Sequence, residues 1–134
     1  MANALYPLWK ENILQGTANN PLTGTLKVAL VDTGTYTYSA AHQFYSSVTG
    51  VAGTPVALAS KTYALGVLKA ANTTLTAVSN GSVTCEALIL YIDTGTAATS
   101  PLVAYIDTGI TNMPVTPNGG DVTIAWNASG IFAL

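Results

Sequence analysis

Short apolar runs, separated by turn residues, constrain what this chain can fold into. Seven segments have the length and residue types of β-strands, and they lie at 26–31, 56–68, 73–78, 83–92, 102–106, 122–126 and 131–134. Clusters of Asn, Gly, Pro and Ser mark turns at 19–21, 50–55, 80–81, 100–101, 118–120 and 127–130. The strands do not alternate regularly with helices. We therefore predict a mainly β fold, a single-domain antiparallel β-sandwich that is jelly-roll-like.

The segment 83–92 is apolar on both faces of its predicted strand. Side chains alternate between the two faces of a strand, which places Cys85 and Ile89 on one face and Leu88 and Leu90 on the other. A strand that is apolar on both faces lies between two packed layers or is covered by a neighbour. The sequence leaves both arrangements open.

Two short helices accompany the strands. At 5–15 apolar residues recur at helical spacing, with Pro7 suited to the first turn and Gly16 to the end of the helix. A second, shorter helix is predicted at 40–47, with Ser39 as its cap. The chain is accordingly divided into an N-terminal helix or arm at 1–20 and a β-sandwich domain at 21–134.

The scarcity of charge excludes several functions. Charged residues make up only 7% of the 134 residues, whereas they make up about 25% of an ordinary soluble domain. Four of the charged residues are lysines and six are acidic. Four dispersed lysines cannot form the basic surface that nucleic acids or anionic membranes require. The apolar content of 49% is the opposite of the disordered signature. We expect part of the surface to be covered by other subunits.

The tripeptide Asp-Thr-Gly occurs three times, each time after an apolar run, and begins at Asp32, Asp93 and Asp107. The same tripeptide marks the active site of aspartic proteases, in which two aspartates share a proton and activate water. A chain of this size could supply one such carboxylate and obtain the second by dimerising. The residues that follow each glycine differ from the protease pattern, however, and three copies exceed a pair. The interpretation we favour is a strand end followed by an Asx turn, in which Gly accepts a positive φ.

Other catalytic and metal-binding patterns are missing from the sequence. His42 is the one histidine and Cys85 the one cysteine, so a zinc site lacks ligands and an internal disulfide cannot form. We interpret His42 as a surface or packing residue and Cys85 as a small buried hydrophobe. Calcium could bind near Asn118 and Asp121, but the carboxylates form no recognisable loop. We predict no catalytic residues, no cofactor and no metal, and therefore not an enzyme.

Two groups of apolar and aromatic residues are candidates for contacts with a partner. Leu5, Trp9 and Ile13 form one side of the N-terminal helix, which either binds a partner protein or a sister subunit as an arm or covers the core of its own sandwich. The second group is Tyr36, Tyr38 and Tyr45. These tyrosines either form a contact surface for protein or carbohydrate, or lie over the edge of the core with their hydroxyls in water.

Several stretches resemble, in order over nearly the whole chain, small virion proteins of tailed bacteriophages. These stretches are LWKE, LKVALVDT, TYTYSAAHQFYSSV, ALILYIDTGTAATSPLVAYIDTG and PVTPNGGDVTIAWNASGIFAL. The most specific is the last, in which NGGDVTI precedes a tryptophan, a tight turn and a terminal Ile-Phe strand. The resemblance implies a β-sandwich structural protein of the particle, a cement or decoration protein on the outside of the head. No catalytic residues come with it.

This resemblance sets the expected partners and location. The expected partners are the major capsid protein and further copies of the chain, with a trimer as the favoured homo-oligomer and with no nucleic acid or membrane. The first sixteen residues do not have the pattern of a signal peptide, which agrees with synthesis in the bacterial cytoplasm before assembly on the capsid exterior of the virion. The alternatives are a neck or tail protein that contacts the host surface and, more remotely, a dimeric aspartic protease.

Overall fold

A computed structural model describes residues 3–16, 25–78 and 83–133. Within these residues the chain forms one helix, α1 (Pro7–Leu14), and ten short strands. The strands are β1 (Ala4–Leu5), β2 (Leu26–Val31), β3 (Val51–Ala57), β4 (Thr62–Ala64), β5 (Val67–Lys69), β6 (Thr73–Leu75), β7 (Ala87–Ile92), β8 (Leu102–Ile106), β9 (Val122–Ile124) and β10 (Phe132–Ala133). Single 3-10 turns lie at Tyr45–Ser47 and Ala97–Thr99.

Five strands form an antiparallel central sheet in the order β1-β8-β7-β2-β3. All residues of β7 and β8 are buried. Both faces of the sheet are therefore covered at its centre, so of the two arrangements open for the segment 83–92 the structure has the strand between two packed layers. Tyr91 and Tyr105 face one layer of the core, while Leu88 and Leu90 face the opposite layer.

Two smaller sheets complete the fold. One has the order β10-β5-β4, and the other pairs β6 with β9. Their fully buried residues Leu68, Leu75 and Ile124 belong to the same continuous apolar core as the central sheet. The mainly β, antiparallel sandwich with one short helix is confirmed, whereas the jelly-roll-like strand order stays a prediction.

The structure corrects four local predictions. Residues 50–55 are not a turn, because β3 runs through them as an outer strand with a shift in register opposite β2, and an outer strand tolerates Pro55. The predicted strand at 56–68 is instead the end of β3 followed by a hairpin of β4 and β5. The helix at 40–47 does not form beyond the single turn at Tyr45–Ser47. The N-terminal helix begins at Pro7, since Ala4–Leu5 is a strand of the central sheet.

The N-terminal segment is therefore tied to the sandwich before its helix begins. β1 pairs with β8, and the Tyr6 N–H donates to the carbonyl of Val103 over 3.0 Å. The predicted boundary between arm and domain, at residues 20 and 21, lies outside the described residues, as do the predicted turns at 19–21 and 80–81.

Candidate interaction surfaces

Four tyrosines, Tyr6, Tyr36, Tyr38 and Tyr105, pack together where the loop after β2 covers the central sheet; we call them the tyrosine cluster. The hydroxyls of Tyr6 and Tyr36 are 2.7 Å apart, and the Tyr36 hydroxyl lies 2.9 Å from Nδ1 of His42. The Tyr38 ring lies 5.1 Å from the Tyr6 ring and 5.5 Å from the Tyr105 ring. A buried chain of hydrogen bonds thus joins the segment before α1 to the loop after β2.

Burial decides the chemistry of these hydroxyls. Removal from water raises the pKa of Tyr6 and that of Tyr36 above the ordinary value for tyrosine. Tyr36 is only 2% exposed. Tyr36 therefore contacts its own chain rather than a partner. One of our interpretations placed its hydroxyl in water, and the structure buries it instead. His42 is half-buried and contacts Tyr36, which favours the packing role over the surface role of the two that we considered.

Tyr45 and Tyr38, the other two tyrosine candidates, are half-buried. The Tyr45 ring stacks on Tyr91 at 3.9 Å with an angle of 11° between the ring planes. Beside this stack the Lys27 ammonium lies 2.7 Å from the Asp93 carboxylate and holds the pKa of Asp93 below its usual value. The stack fixes the loop to the sheet.

The helix α1 covers the core of its own chain. Trp9 is 2% exposed, and its ring meets the Phe132 ring edge to face at 5.8 Å. Ile13 and Leu5 are half-buried and pack against the same core. Of the two interpretations of this helix, the contacts favour the cover over the arm, while Leu14 at its end is 88% exposed.

Two of the Asp-Thr-Gly segments have the hydrogen bonds of an Asx turn. The Gly34 N–H donates to Oδ1 of Asp32 over 2.8 Å, and the Thr35 hydroxyl donates to Oδ2 over 3.2 Å. The Gly95 N–H likewise donates to Oδ1 of Asp93 over 2.9 Å. These hydrogen bonds agree with the interpretation of both segments as Asx turns.

The third segment is held by a different side chain. Asn3 Oδ1 accepts the backbone N–H groups of Asp107 and Thr108 over 2.7 and 3.0 Å. Strands β2 and β8 run in the same direction on either side of β7, so Asp32 and Asp107 follow them at the same end of the sheet. Two strand spacings, about 9–10 Å, separate the backbones of these two strands. Carboxylates that share a proton lie about 3 Å apart. The geometry therefore disfavours a catalytic pair within one chain.

The residues that carry the resemblance form structural contacts near the end of the chain. Asn118 Oδ1 accepts the Gly120 N–H over 3.0 Å, and Asp121 Oδ1 accepts the Ala77 N–H over 2.9 Å. The Trp126 indole donates to the buried Thr73 hydroxyl over 3.2 Å. The oxygens considered for calcium thus bind backbone groups of the chain itself.

The hairpin of β4 and β5 is the feature that the sequence interpretation missed. Ala64 pairs with Val67, so Leu65 and Gly66 alone form the turn, and both have positive φ, of 53° and 78°. The Leu65 side chain is fully exposed. The signal in the sequence was an Ala-Leu-Gly break between TY and VLK, which a single apolar run at 56–68 conceals.

A cleft of about 260 Å³ lies between β1 and β10, where the central sheet meets the small sheet. Its walls are mainly apolar and include Leu5, Ala104, Ile106, Ile131 and Phe132. A narrower extension of about 90 Å³ continues past Asn3 toward Thr108 and Asn127. We call this the β1–β10 cleft, and it is bounded by the two outer strands from which it takes its name.

Neither a metal centre nor a membrane helix is found within the described residues. No three His, Cys, Asp or Glu side chains meet there as metal ligands, and no helix there is long and apolar enough to cross a bilayer. Comparison with protein families finds no matching family model, and comparison with curated proteins finds no match.

Proposed function

We propose that this chain is a structural protein of a tailed-bacteriophage particle, a cement or decoration protein that binds the outside of the head. The observation that carries the proposal is an apolar hairpin tip, Leu65, held fully in solvent on a chain with 7% charged residues. A partner that covers this leucine would gain free energy, since burying one leucine side chain contributes about 1.5–3 kcal/mol. The resemblance to virion proteins supplies the kind of surface, the major capsid protein.

The proposed action is a clamp between neighbouring capsid subunits. A buried core with both faces of the central sheet covered gives a rigid body, and the outer strands and the hairpin supply contacts. Copies of the chain, as trimers in our proposal, would add contacts that the bare shell lacks and so resist internal DNA pressure. The site does not include Trp9 and Tyr36, which are buried in their own chain.

The test uses heads prepared without the protein. Purified full-length protein is added to these heads, bound copies are counted, and the temperature at which the heads release DNA is recorded with and without it. The proposal predicts saturable binding at hundreds of copies per head and release at a higher temperature. Absence of binding to heads would contradict it, and a few copies located at the neck or tail would favour the neck or tail alternative.

A further inference from the structure

The hairpin of β4 and β5 carries an exposed surface at the outer end of the small sheet. β4 is an outer strand, and no described strand pairs with its other edge. Residues that pair across antiparallel strands share a face. Thr62 pairs with Lys69. Ala64 pairs with Val67, nearer to the turn, on the same face. On this face and at the turn, the exposed residues are Thr62, Ala64, Leu65 and Lys69, which we call the hairpin surface.

The backbone of the turn suits a residue other than leucine. A two-residue turn with positive φ at both positions favours Asn-Gly, whereas Leu65 at φ 53° is strained by its Cβ. The turn is therefore not optimised for the stability of the single chain. Strain at a fully exposed apolar side chain indicates that this side chain is kept for a contact with another molecule.

Charge indicates an acidic partner for the hairpin surface. Residues 33–85 contain two charged side chains, Lys61 and Lys69, and no acid. The rest of the chain holds the other two lysines and all six acids. The segment that contains the hairpin is therefore positive in a chain whose net charge is −2. Lys69 is the exposed lysine of the two, and a positive surface is complementary to a negative one.

The acids of this chain already have partners within it, which disfavours a second copy as the occupant. Five of the six accept a hydrogen bond or an ion pair from a group of their own chain, and these are Glu11, Asp32, Glu86, Asp93 and Asp121. The sixth, Asp107, has a partner as well. Lys69 of one copy would have to compete with these groups for a carboxylate of the next copy. An acidic surface on a different protein avoids this competition.

The size of the hairpin surface fits a protein rather than a polyanion. Nucleic acids and anionic membranes are bound by many cations at once, whereas the hairpin surface has one lysine beside one leucine. Lys69 lies two residues from Val67, which closes the turn, and about 7 Å of strand separates their backbones. An apolar recess for Leu65 with a carboxylate at its rim matches this spacing, and an apolar centre with a polar rim is the usual form of a protein interface.

We propose that the hairpin surface binds an acidic surface of a different protein, which takes Leu65 into an apolar recess and pairs a carboxylate with Lys69. This proposal rests on the proposed function and deepens it, because it gives the chemistry of the capsid surface to which the protein binds. Leu65 supplies most of the affinity. Lys69 supplies a contribution that salt screens, since it lies at the rim of the contact.

The first experiment measures the affinity of full-length variants for heads prepared without the protein. Leu65→Asn removes the apolar contact and suits the turn, with Leu65→Met as the matched apolar control. Lys69→Gln removes the exposed charge, with Lys10→Gln, at an exposed position of α1, as the matched control. We expect Leu65→Asn to weaken binding at least about tenfold, and Lys69→Gln to weaken it about threefold at low salt only. Both controls should bind like the wild type, and melting temperatures show that each variant folds.

The second experiment tests the chemistry of the hairpin surface without heads. The full-length protein is applied at pH 7 to a chromatography resin that bears both carboxylates and phenyl groups. Because the chain has a net charge of −2, retention on this resin reports a local positive and apolar surface rather than the whole molecule. We expect the wild type and Lys10→Gln to elute after Leu65→Asn and after Lys69→Gln. Equal elution of all four proteins would overturn the proposal.

The two proposals fail differently. Heads that bind Leu65→Asn as tightly as the wild type overturn the hairpin contact and leave the decoration function. Absence of binding to heads, together with later elution of the wild type from the resin, contradicts the decoration function and supports the chemistry of the hairpin surface. Self-association of the wild type that Leu65→Asn abolishes, measured by sedimentation, overturns the choice of a different protein as the partner.

Discussion

At the level of single residues, the aspartates of the Asp-Thr-Gly turns act as backbone acceptors. Asp32 uses one carboxylate oxygen for the Gly34 N–H and the other for the Thr35 hydroxyl. An asparagine retains the oxygen that accepts the backbone N–H, whereas an alanine retains neither. The two substitutions therefore distinguish a turn residue from an ionised catalytic group.

We expect Asp32→Asn to change the free energy of unfolding by less than about 0.5 kcal/mol and Asp32→Ala to lower it by about 1 kcal/mol, the usual net value of a hydrogen bond. Urea unfolding of both variants measures the difference. An Asp32→Asn protein that folds normally but loses a peptide-cleaving activity at acid pH would contradict the turn role and favour the protease alternative.

The tyrosine cluster allows a second comparison at this scale. Tyr36 contacts both Tyr6 and His42 through one hydroxyl, whereas the Tyr6 hydroxyl contacts Tyr36. We expect Tyr6→Phe to lower the free energy of unfolding by about 1 kcal/mol and Tyr36→Phe by about 2 kcal/mol, since the second leaves a buried hydroxyl behind. Denaturant midpoints of the two variants test the order, and equal midpoints would mean that leaving the Tyr6 hydroxyl without its Tyr36 partner carries no extra cost.

At the level of elements, the small sheet depends on one glycine before β10. Gly130 has φ 126°, and a Cβ there would overlap Cγ1 of Val67 in β5. The following Ile131 N–H donates to the Leu68 carbonyl over 2.7 Å and starts the pairing of β10 with β5. The close approach of the Gly130 backbone to β5 allows β10 to join the sheet and to form one wall of the cleft.

Gly130→Ala should therefore destabilise the fold by more than about 2 kcal/mol, combining the clash with an unfavourable φ. Gly119→Ala is the matched control, because Gly119 has φ 90° with nothing within 4 Å of its Cβ position, and we expect it to cost about 1 kcal/mol. Thermal unfolding compares the two. Similar losses would mean that the close approach to Val67 relaxes without cost.

The same elements show which parts of the fold the sequence predicts. The bounds of β2 and β8 match the prediction residue for residue, because each is a short run of mainly apolar residues; Lys27 in β2 is the one exception. β3 was missed because Gly53 and Pro55 are typical of turns, and only the pairing with β2 makes them an outer strand. The helix at 40–47 is replaced by contacts across the chain, among them the pairing of Phe44 with Pro101.

Candidate contact residues were harder to predict because exposure depends on strand register. Trp9 and Tyr36 look available in the sequence, yet tertiary contacts bury both. Leu65 lies within an apolar run that reads as core, and it is exposed only because β4 and β5 pair with a two-residue turn. The sequence therefore predicts which residues are apolar, and the pairing of strands decides which of them face outward.

At the level of the whole molecule, hydroxyl groups replace charges as the surface polar contacts. Threonine pairs bridge neighbouring segments: Thr74 to Thr123 over 3.1 Å and Thr84 to Thr116 over 2.9 Å. The pair of Lys27 with Asp93 is a half-buried ion pair that water still reaches, and it contributes about 1 kcal/mol. We therefore expect the free energy of unfolding of the single chain to depend weakly on salt.

The free energy of unfolding should instead depend on pH in a strongly asymmetric way. Burial raises the pKa of Cys85 to about 11 and raises the pKa of Tyr6 and Tyr91 above the ordinary tyrosine value. A raised pKa in the folded state means that the folded chain holds its protons longer than the unfolded chain. This stabilisation is complete below the unfolded pKa and is lost as pH rises toward the folded pKa. Asp93 acts in the opposite sense, because its lowered pKa gives a contribution lost as pH falls through that value.

We therefore expect the free energy of unfolding to be nearly constant between about pH 5 and pH 8 and to fall above about pH 9, with a slope approaching 1.4 kcal/mol per pH unit for each buried group that ionises on unfolding. Urea unfolding across this range measures the slope. Cys85→Ala is the control, because it removes the contribution that begins near the thiol pKa and leaves the later tyrosine contribution in place. A free energy that stays constant to pH 11 would mean that Tyr6 and Cys85 ionise as easily in the folded chain as in the unfolded one, and the buried chain of hydroxyls beneath the loop would have to be open to water.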